Sequence, residues 1–440
     1  MDKLHEWKEK EHRKPLLLTG ARQTGKTYIL KQFGAEAYPR CHYFNFEKNS
    51  LLHTLFEQDF NPNRIIAQLS LFQEQPISAE SDLIVFDEIQ NCPKALASLK
   101  YFCEEAPGVN ICAAGSLLGL HLGSMPFPVG KVEYLTLYPM TFEEALWNTE
   151  NRLLITAYHE GLETGSLSPL AHKKLLDVLF AYYITGGMPE IVAATALGGQ
   201  NIDQRQLESI RTFQNDLLRM YESDIAKHAG QMNSMHIVSV LHAIPRQLSL
   251  TQDLSTKRFS FCDAIPGKKG FGPLQGPITW LKVASLIHTV GIVNQALVPL
   301  ESYTKDNMFK CFLFDTGLLG AMLDLPPAQL LLQDYGTAKG YYAENYVLQE
   351  LAAAGLRVYT WKERNSEIEF LYQSREGTIV PMEVKSGNRT QAKSLKQYML
   401  KYSPKKAVIL STRNMDISQE RSTAYIPLYY AGKIPLLLER

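Results

Sequence analysis

Residues 15–27 read Pro-Leu-Leu-Leu-Thr-Gly-Ala-Arg-Gln-Thr-Gly-Lys-Thr. The apolar run Leu16–Leu18 predicts a strand, and the apolar spacing from Tyr28 to Phe33 predicts a helix after it. Between them stands the pattern G-x-x-x-x-G-K-T, whose glycines let backbone N–H groups turn inward around phosphate oxygens. The following helix adds the positive end of its dipole, which favours an anion at the same place. Strand, glycine-rich turn and helix together predict a P-loop.

The predicted ligand of this loop is a nucleoside triphosphate, with ATP and Mg²⁺ as the expected pair. The Lys26 ammonium would reach the β- and γ-phosphates, and the Thr27 hydroxyl would ligate Mg²⁺. The rest of the loop would offer backbone N–H groups to the phosphates. The predicted nucleotide-binding residues are Gly20, Ala21, Arg22, Gln23, Thr24, Gly25, Lys26 and Thr27.

A second apolar run, Leu83-Ile-Val-Phe-Asp-Glu88, ends in two acids. Ligands bind at the carboxyl ends of strands in doubly wound folds, so these two acids are predicted to lie at a ligand-binding site. We expect Asp87 to hold the Mg²⁺ water shell and Glu88 to polarise an attacking water. The second acid favours a hydrolase over a small-molecule kinase. The next run, Val109–Ala114, predicts a strand beside these two, from whose end Ser116 is expected to contact the γ-phosphate or the attacking water.

The order of strand and helix patterns predicts a multi-domain α/β protein. In the N-terminal part, strands alternate with helices, which is typical of a parallel sheet covered on both faces. Apolar residues at i, i+3 and i+4 then predict a largely helical stretch, followed by a polar, basic segment. The C-terminal part predicts a helix, a hairpin, another helix and a final strand. The predicted domains are 1–145, 146–230, 231–330 and 331–440.

The predicted hairpin pairs residues 366–372 with residues 378–385. Alternation along both strands allows Glu369 on the first strand to converge with Glu383 and Lys385 on the second. Two carboxylates at this spacing can hold Mg²⁺, while a lysine steadies a hydroxide or a scissile phosphate. A solvated hairpin without a metal is the alternative. The predicted second metal site comprises Glu344, Glu369 and Glu383, and the candidate nuclease residues are Glu369, Glu383 and Lys385.

Eight motifs follow one another along the chain in a fixed order: Gly20–Thr27, Phe86–Gln90, Gly115–Gly119, Pro128–Lys131, Tyr138–Phe142, Tyr183–Glu190, Phe314–Leu318 and Gly340–Asn345. This order resembles a known family, the prokaryotic AAA+-type ATPases with a C-terminal domain of unknown function. The resemblance implies an AAA+-like P-loop domain with a doubly wound parallel sheet, a helical connecting region, a winged-helix-like segment and a C-terminal α/β domain similar to restriction endonucleases.

The C-terminal part has a glutamate on a helix, an acid on the hairpin, a Glu-x-Lys sequence and then Gln397 on the next helix. This order resembles that of the PD-(D/E)xK nuclease fold. One departure is that this fold commonly has Asp where Glu369 stands, and the extra methylene moves the carboxylate outward by about 1.5 Å. The family resemblance also implies an arginine finger from a neighbouring subunit, and hence a homo-oligomer. Arg211 and Arg219 are the candidates, although charged residues on a helix face are usually only solvated.

Charge is balanced overall and uneven locally. Lys plus Arg and Asp plus Glu both number 45, so net charge says nothing about a polyanionic partner. Between Glu383 and Asp416, however, there is no acidic residue. The basic residues there predict a stripe that binds nucleic acid with little sequence preference, or else a merely solvated basic helix. They are Lys385, Arg389, Lys393, Lys396, Lys401, Lys405, Lys406 and Arg413.

The six cysteines form no C-x-x-C pair and no zinc spacing, which is typical of free thiols in a reducing compartment. No segment approaches the ~20 apolar residues of a membrane span, and the charged N-terminus lacks the apolar core of a signal peptide. We therefore expect a cytoplasmic protein without a membrane partner. The leading hypothesis is an ATP-hydrolysing protein that couples nucleotide state to nucleic-acid binding or processing. The alternative is a nucleotide-gated binding switch whose nuclease-like domain is inert.

Overall fold

The computed structural model describes residues 1–116, 128, 130–195, 202–249, 257–262, 264–333, 336, 338–374, 376–387, 392–417 and 422–438. The chain forms two compact units. The first comprises Met1–Tyr138 with Val283–Ser285, and the second comprises Pro139–Lys282 with Leu286–Arg440. Within the described ranges, no helix combines the length and the apolar character needed to cross a membrane.

The first unit is a five-stranded sheet with helices on both faces. Its strand order is β2-β3-β4-β1-β5, and every neighbouring pair is parallel. The strands are β1 (Leu16–Thr19), β2 (Cys41–Asn45), β3 (Leu83–Asp87), β4 (Asn110–Ala114) and β5 (Glu133–Thr136). The helices are α1 (Asp2–Lys8), α2 (Lys26–Ala37), α3 (Leu51–Thr54), α4 (Pro62–Phe72) and α5 (Pro93–Glu105).

Alternation along β1 divides the apolar residues of this unit between two cores. Leu16 and Leu18 pack in the core that includes Leu30 and Phe33 of α2. Leu17 faces the opposite core, which contains residues of α4 and α5. Because both faces are covered, the predicted strands are buried apolar runs, and the predicted parallel α/β arrangement is confirmed. Strand β5 was not predicted.

The second unit begins with a helical stretch, as the apolar spacing predicted. It then continues into a mixed sheet with further helices. The helices are α6 (Phe142–Trp147), α7 (Arg152–Thr164), α8 (Pro169–Thr185), α9 (Pro189–Ala194), α10 (Gln204–Ala229), α11 (Gln231–Ser249), α12 (Gly272–Val283), α13 (Thr316–Met322), α14 (Pro327–Leu331), α15 (Ala338–Ala353), α16 (Lys393–Tyr402) and α17 (Ile434–Leu438).

The sheet of the second unit has seven strands in the order β12-β11-β10-β9-β8-β6-β7. Strands β9 and β10 form the predicted hairpin, and Met382 pairs with Phe370 in antiparallel register. The strands are β6 (Ile287–Val293), β7 (Phe309–Leu313), β8 (Val358–Glu363), β9 (Ser366–Gln373), β10 (Ile379–Val384), β11 (Ala407–Ser411) and β12 (Thr423–Pro427).

Two expectations for this unit need correction. A single final strand was predicted after α16, but β11 and β12 both follow it and pair in parallel. The paired prolines Pro326 and Pro327 favour a linker over residues 326–335, but α14 occupies Pro327–Leu331 and buries Leu330. Strand β6 before residue 330 pairs with β8 after it, within one sheet, and the predicted domains stay predictions. The winged-helix and nuclease-like assignments stay predictions.

Candidate functional site

The P-loop lies between β1 and α2, and three of its residues have positive φ. Gly20 has φ 138°, Gln23 has φ 67° and Gly25 has φ 90°. A Cβ on Gly20 would lie 2.2 Å from the carbonyl oxygen of Leu137, so no other residue fits there. Gly25 is the N-cap of α2, which has no side-chain cap and no acid in its first turn. Because Gly25 has no side chain to accept from the first N–H groups of α2, it leaves them for an anion.

Lys26 is folded back onto the loop. Its Nζ donates to the carbonyl oxygens of Gly20 at 3.1 Å and Ala21 at 2.7 Å. The side chain is buried, and this burial lowers the pKa of Lys26 to about 8, although Glu88 and Asp87 oppose the shift. The ammonium thus lies at the loop on backbone acceptors that phosphate oxygens can replace.

Asp87 ends β3 beside the start of α2, as predicted. Its Oδ2 accepts hydrogen bonds from the hydroxyls of Thr27 at 2.7 Å and Tyr43 at 2.6 Å. The Tyr43 hydroxyl in turn accepts from Asn45 Nδ2 at 3.1 Å. Sequence reasoning missed Tyr43, although polar residues near the end of a strand adjacent to β3 could have suggested it. The structure therefore brings Thr27 and Asp87 together and adds Tyr43 as a second donor to the acid.

Glu88 directly follows β3 in a left-handed conformation with φ 52°. Its Oε2 accepts a hydrogen bond from Gln90 Nε2 at 2.5 Å. Burial raises the pKa of the Glu88 carboxyl, while the Gln90 hydrogen bond opposes that rise. Gln90 is a second residue that sequence reasoning did not assign, although it stands only two positions after the acid. A half-buried carboxylate held by an amide is suited to accept a proton from water.

Strand β4 lies between β1 and β3, so the predicted position of Ser116 is consistent with the sheet order. Ser116 follows the end of β4, and the Gly115 N–H donates to the Leu18 carbonyl oxygen at 3.2 Å. The role predicted for Ser116 stays a prediction. Residues 117–119 and 129 of the predicted motifs lie outside the described residues.

These residues fit a nucleotide with Mg²⁺. The uncapped N-terminus of α2 and the Lys26 ammonium suit phosphate oxygens, since both present positive charge. The Thr27 hydroxyl and the Asp87 carboxylate are the oxygen ligands that Mg²⁺ takes alongside phosphates and water.

In the second unit, the structure brings the predicted acids together around two lysines. Glu344 on α15 and Glu383 on β10 both lie close enough to Glu369 on β9 for their charges to interact. Lys385 Nζ lies 2.6 Å from Glu383 Oε1, as an ion pair. Glu369 Oε2 accepts from the Val384 N–H at 3.3 Å. The convergence predicted from strand alternation is therefore present.

Lys310 on β7 is an unpredicted member of this group. Its Nζ lies 2.6 Å from Glu367 Oε1 and 3.5 Å from Glu344 Oε2, and the side chain is 1% exposed. Burial alone would lower the pKa of Lys310, but the carboxylates of Glu344 and Glu367 raise it. We define the carboxylate cluster as Lys310, Glu344, Glu367, Glu369, Glu383 and Lys385.

The carboxylate cluster does not fit a metal ion as it stands. Among the described residues, no group of three or more His, Cys, Asp or Glu side chains could hold one. Lysine ammonium groups pair with Glu344 and Glu383, two of the three predicted ligands. The second metal site predicted from Glu344, Glu369 and Glu383 therefore lacks the open set of oxygens that a hard cation needs.

The basic residues are only partly available to a partner. Exposed Lys401 and Arg413 pair with Glu363 and Asp416 respectively. Arg389 lies outside the described residues. Leu395 and Tyr398 fix the inner face of α16 in the core, and Gln397 bonds to Ser366. Three exposed lysines form no ion pair with any described acid: Lys393, Lys396 and Lys405.

The two arginine-finger candidates have different environments. Arg211 is half-buried, and its Nη2 donates to the Leu325 carbonyl oxygen at 2.5 Å. Its Nη1 donates to Gln214 Oε1 at 3.0 Å, so the expectation of a solvated side chain is wrong for Arg211. Arg219 is exposed and pairs with Asp216 at 3.3 Å.

Comparison with protein-family models gives three successive matches along the chain. Residues 12–146 match a family described as an AAA domain. Residues 176–329 and 339–431 match two domains of unknown function, DUF8612 and DUF4143. The first match supports an AAA-type P-loop ATPase domain in the first unit, in agreement with its sheet and its loop. The other two carry no statement of activity.

No curated protein matches the sequence. Among solved structures, Drosophila ORC bound to DNA is 16% identical, with a TM-score of 0.26 over 73% of this chain and 94% of that chain. C. elegans PCH-2 is 12% identical, with a TM-score of 0.21 over 46% of this chain and 54% of that chain. These TM-scores are too low for either likeness to support a conclusion.

Proposed function

We propose that this protein hydrolyses ATP at the P-loop of its first unit and couples nucleotide state to nucleic-acid binding by the second. The observation that carries the hydrolysis is the grouping of Lys26, Thr27, Asp87 and Glu88 at one edge of a parallel sheet. The match of residues 12–146 to an AAA domain supports the same assignment.

In this proposal each side chain has a separate task. Mg²⁺, when bound with the nucleotide, would neutralise phosphate charge. Lys26 leaves the carbonyl oxygens of Gly20 and Ala21 to bind phosphate oxygens. Thr27 and Asp87 would hold the metal and its water shell. Glu88 orients the attacking water and accepts its proton, while Gln90 keeps the carboxylate in place.

Two substitutions test the hydrolysis directly. Lys26→Ala should abolish measurable ATP binding and lower turnover by at least about 100-fold, because it removes the phosphate-binding cation. Glu88→Gln should bind ATP with near-normal affinity but lower turnover by a similar factor. The matched controls are Lys100→Ala and Glu105→Gln, since both side chains are exposed in the same unit. Normal hydrolysis by Glu88→Gln would remove Glu88 from the mechanism.

For nucleic acid, we propose the exposed face of α16 around Lys393 and Lys396 as the contact. Both lysines are exposed and form no ion pair with a described acid, so they are available for phosphates. Reversing both to Glu should weaken binding of a fluorescent DNA duplex and lower the salt slope by about 2. The control reverses Lys173 and Lys174, two exposed lysines on α8. Equal loss in both variants would reject α16 as the specific contact.

A second candidate is a nucleotide-gated binding switch, in which the nuclease-like C-terminal domain docks nucleic acid or a protein but catalyses no cleavage. Lys310 favours it, because this buried ammonium lies 3.5 Å from Glu344, one of the carboxylates predicted to bind the metal of a nuclease. Plasmid DNA with Mn²⁺ and ATP separates the candidates. Cleavage that disappears in a Glu383→Ala, Lys385→Ala variant would support processing, and cleavage equal in both proteins would support the switch.

We also propose that ATP promotes self-association, since an arginine finger would have to come from a neighbouring copy. Light scattering with and without a non-hydrolysable ATP analogue tests this. A mass that stays monomeric under both conditions would exclude a finger in trans. In that case turnover would rest on the residues of one chain.

A further inference from the structure

We infer that the Lys310 ammonium takes the place of a divalent cation, so that the carboxylate cluster is a metal-free ion-pair network. This inference deepens the binding-switch candidate and does not depend on ATP hydrolysis. It follows from the position of one side chain, which comes from β7 rather than from the hairpin that carries most of the acids.

The contacts of Lys310 are those of a bound cation. Its Nζ lies 2.6 Å from one oxygen of Glu367 and 3.5 Å from one oxygen of Glu344. The side chain is buried, so water cannot replace these partners. A buried ammonium requires close carboxylates, and buried carboxylates require a cation. Lys310 and the acids therefore depend on each other in the folded unit.

Four carboxylates and three ammonium groups leave one negative charge, which a divalent cation would overcompensate. Two of these ammonium groups, Lys310 and Lys385, belong to the carboxylate cluster. The third is that of Lys362, whose Nζ lies 2.9 Å from Glu367. A metal would have to displace an ammonium or lie beside one, where two positive charges repel. Glu383 Oε2 is buried and has no hydrogen-bond partner among the described residues. Glu367 Oε1 likewise has none, but Lys310 Nζ lies 2.6 Å from it, so a metal could reach this oxygen only by displacing the ammonium.

The test measures Mn²⁺ binding to the full chain without nucleotide, by electron paramagnetic resonance. The reference is a Glu344→Gln, Glu383→Gln variant, whose difference from the unchanged chain isolates the carboxylate cluster from other Mn²⁺ sites. We expect no difference in the number of bound Mn²⁺ ions. One Mn²⁺ ion bound by the unchanged chain and lost in the variant would overturn the inference.

A gain of binding tests the role of Lys310 itself. Lys310→Met removes the ammonium while keeping an unbranched side chain only one atom shorter, so it should create one Mn²⁺ site that Glu344→Gln abolishes. Its melting temperature should also rise with Mn²⁺, whereas that of the unchanged chain should not. A folded Lys310→Met protein without a new Mn²⁺ site would overturn the inference. If this variant does not fold, the comparison with the Glu344→Gln, Glu383→Gln variant decides alone.

Discussion

The hydroxyl of Tyr43 shares one oxygen of Asp87 with Thr27. If Thr27 turned towards Mg²⁺, Tyr43 would still donate a hydrogen bond to Asp87. A hydrogen bond to a charged group contributes about 1.5–3 kcal/mol. Tyr43→Phe should therefore raise the Mg²⁺ concentration for half-maximal ATPase activity by about 10- to 150-fold. Tyr28→Phe, at an exposed position of α2, is the control. The same Mg²⁺ dependence in both variants would contradict this role.

The carboxyl of Glu88 should give the acid limb of the pH–rate profile. Burial raises its pKa, and a base must be ionised, so turnover should fall at a higher pH than for an ordinary Glu. The Gln90 hydrogen bond lowers this pKa. Gln90→Leu should thus move the acid limb to still higher pH, with turnover recovered in more alkaline buffer. An acid limb at the same pH in Gln90→Leu would show that Gln90 does not lower the pKa of Glu88.

The ammonium of Lys26 should give the alkaline limb. Its pKa is lowered to about 8 by burial, so the free enzyme loses this positive charge as the pH rises through that value. Because kcat/KM reports ionisation of the free enzyme, kcat/KM for ATP should decline above about pH 8. Lys26→Arg keeps its charge, so its profile should be flat there even if its activity is lower. A decline of equal midpoint in both proteins would assign the limb to another group.

At the scale of elements, Gly20 joins β1 to the P-loop and approaches the segment after β5. A Cβ there would lie 2.2 Å from the Leu137 carbonyl oxygen at a φ of 138°. Gly20→Ala should lower the free energy of unfolding of the first unit by at least about 1–3 kcal/mol and weaken ATP binding. Gly108→Ala is the matched control, since its Cβ would meet no atom within 4 Å. Thermal unfolding with and without ATP measures both effects.

The elements that the sequence predicted best are those with an uninterrupted signal. Buried apolar runs marked the inner strands of the first unit, and the glycine pattern marked the loop between β1 and α2. Strand β5 could not be predicted because it is a half-buried edge strand without an apolar run, and Tyr134 is 57% exposed. The position of Lys310 beside the hairpin acids could not be predicted for a different reason. Its distance from the hairpin acids depends on the sheet order β9-β8-β6-β7, and tertiary pairing of that kind leaves no local pattern.

For the whole molecule, coupling between ATP and nucleic acid must be reciprocal if it exists. If bound ATP changes DNA affinity by some factor, then bound DNA changes ATP affinity by the same factor. Glu88→Gln allows both to be measured at equilibrium, because it should bind ATP without consuming it. We expect a coupling factor of about 5–150, equal in both directions.

The variant that reverses Lys393 and Lys396 provides the control for this coupling. On the Glu88→Gln background it should lose DNA affinity and, with it, any effect of DNA on ATP affinity, while its ATP affinity without DNA stays unchanged. A factor of one in both directions would mean that the two units bind their ligands independently. In that case ATP hydrolysis by the first unit would not control DNA binding by the second. Unequal factors would show instead that one titration had not reached equilibrium, because thermodynamic linkage forbids them.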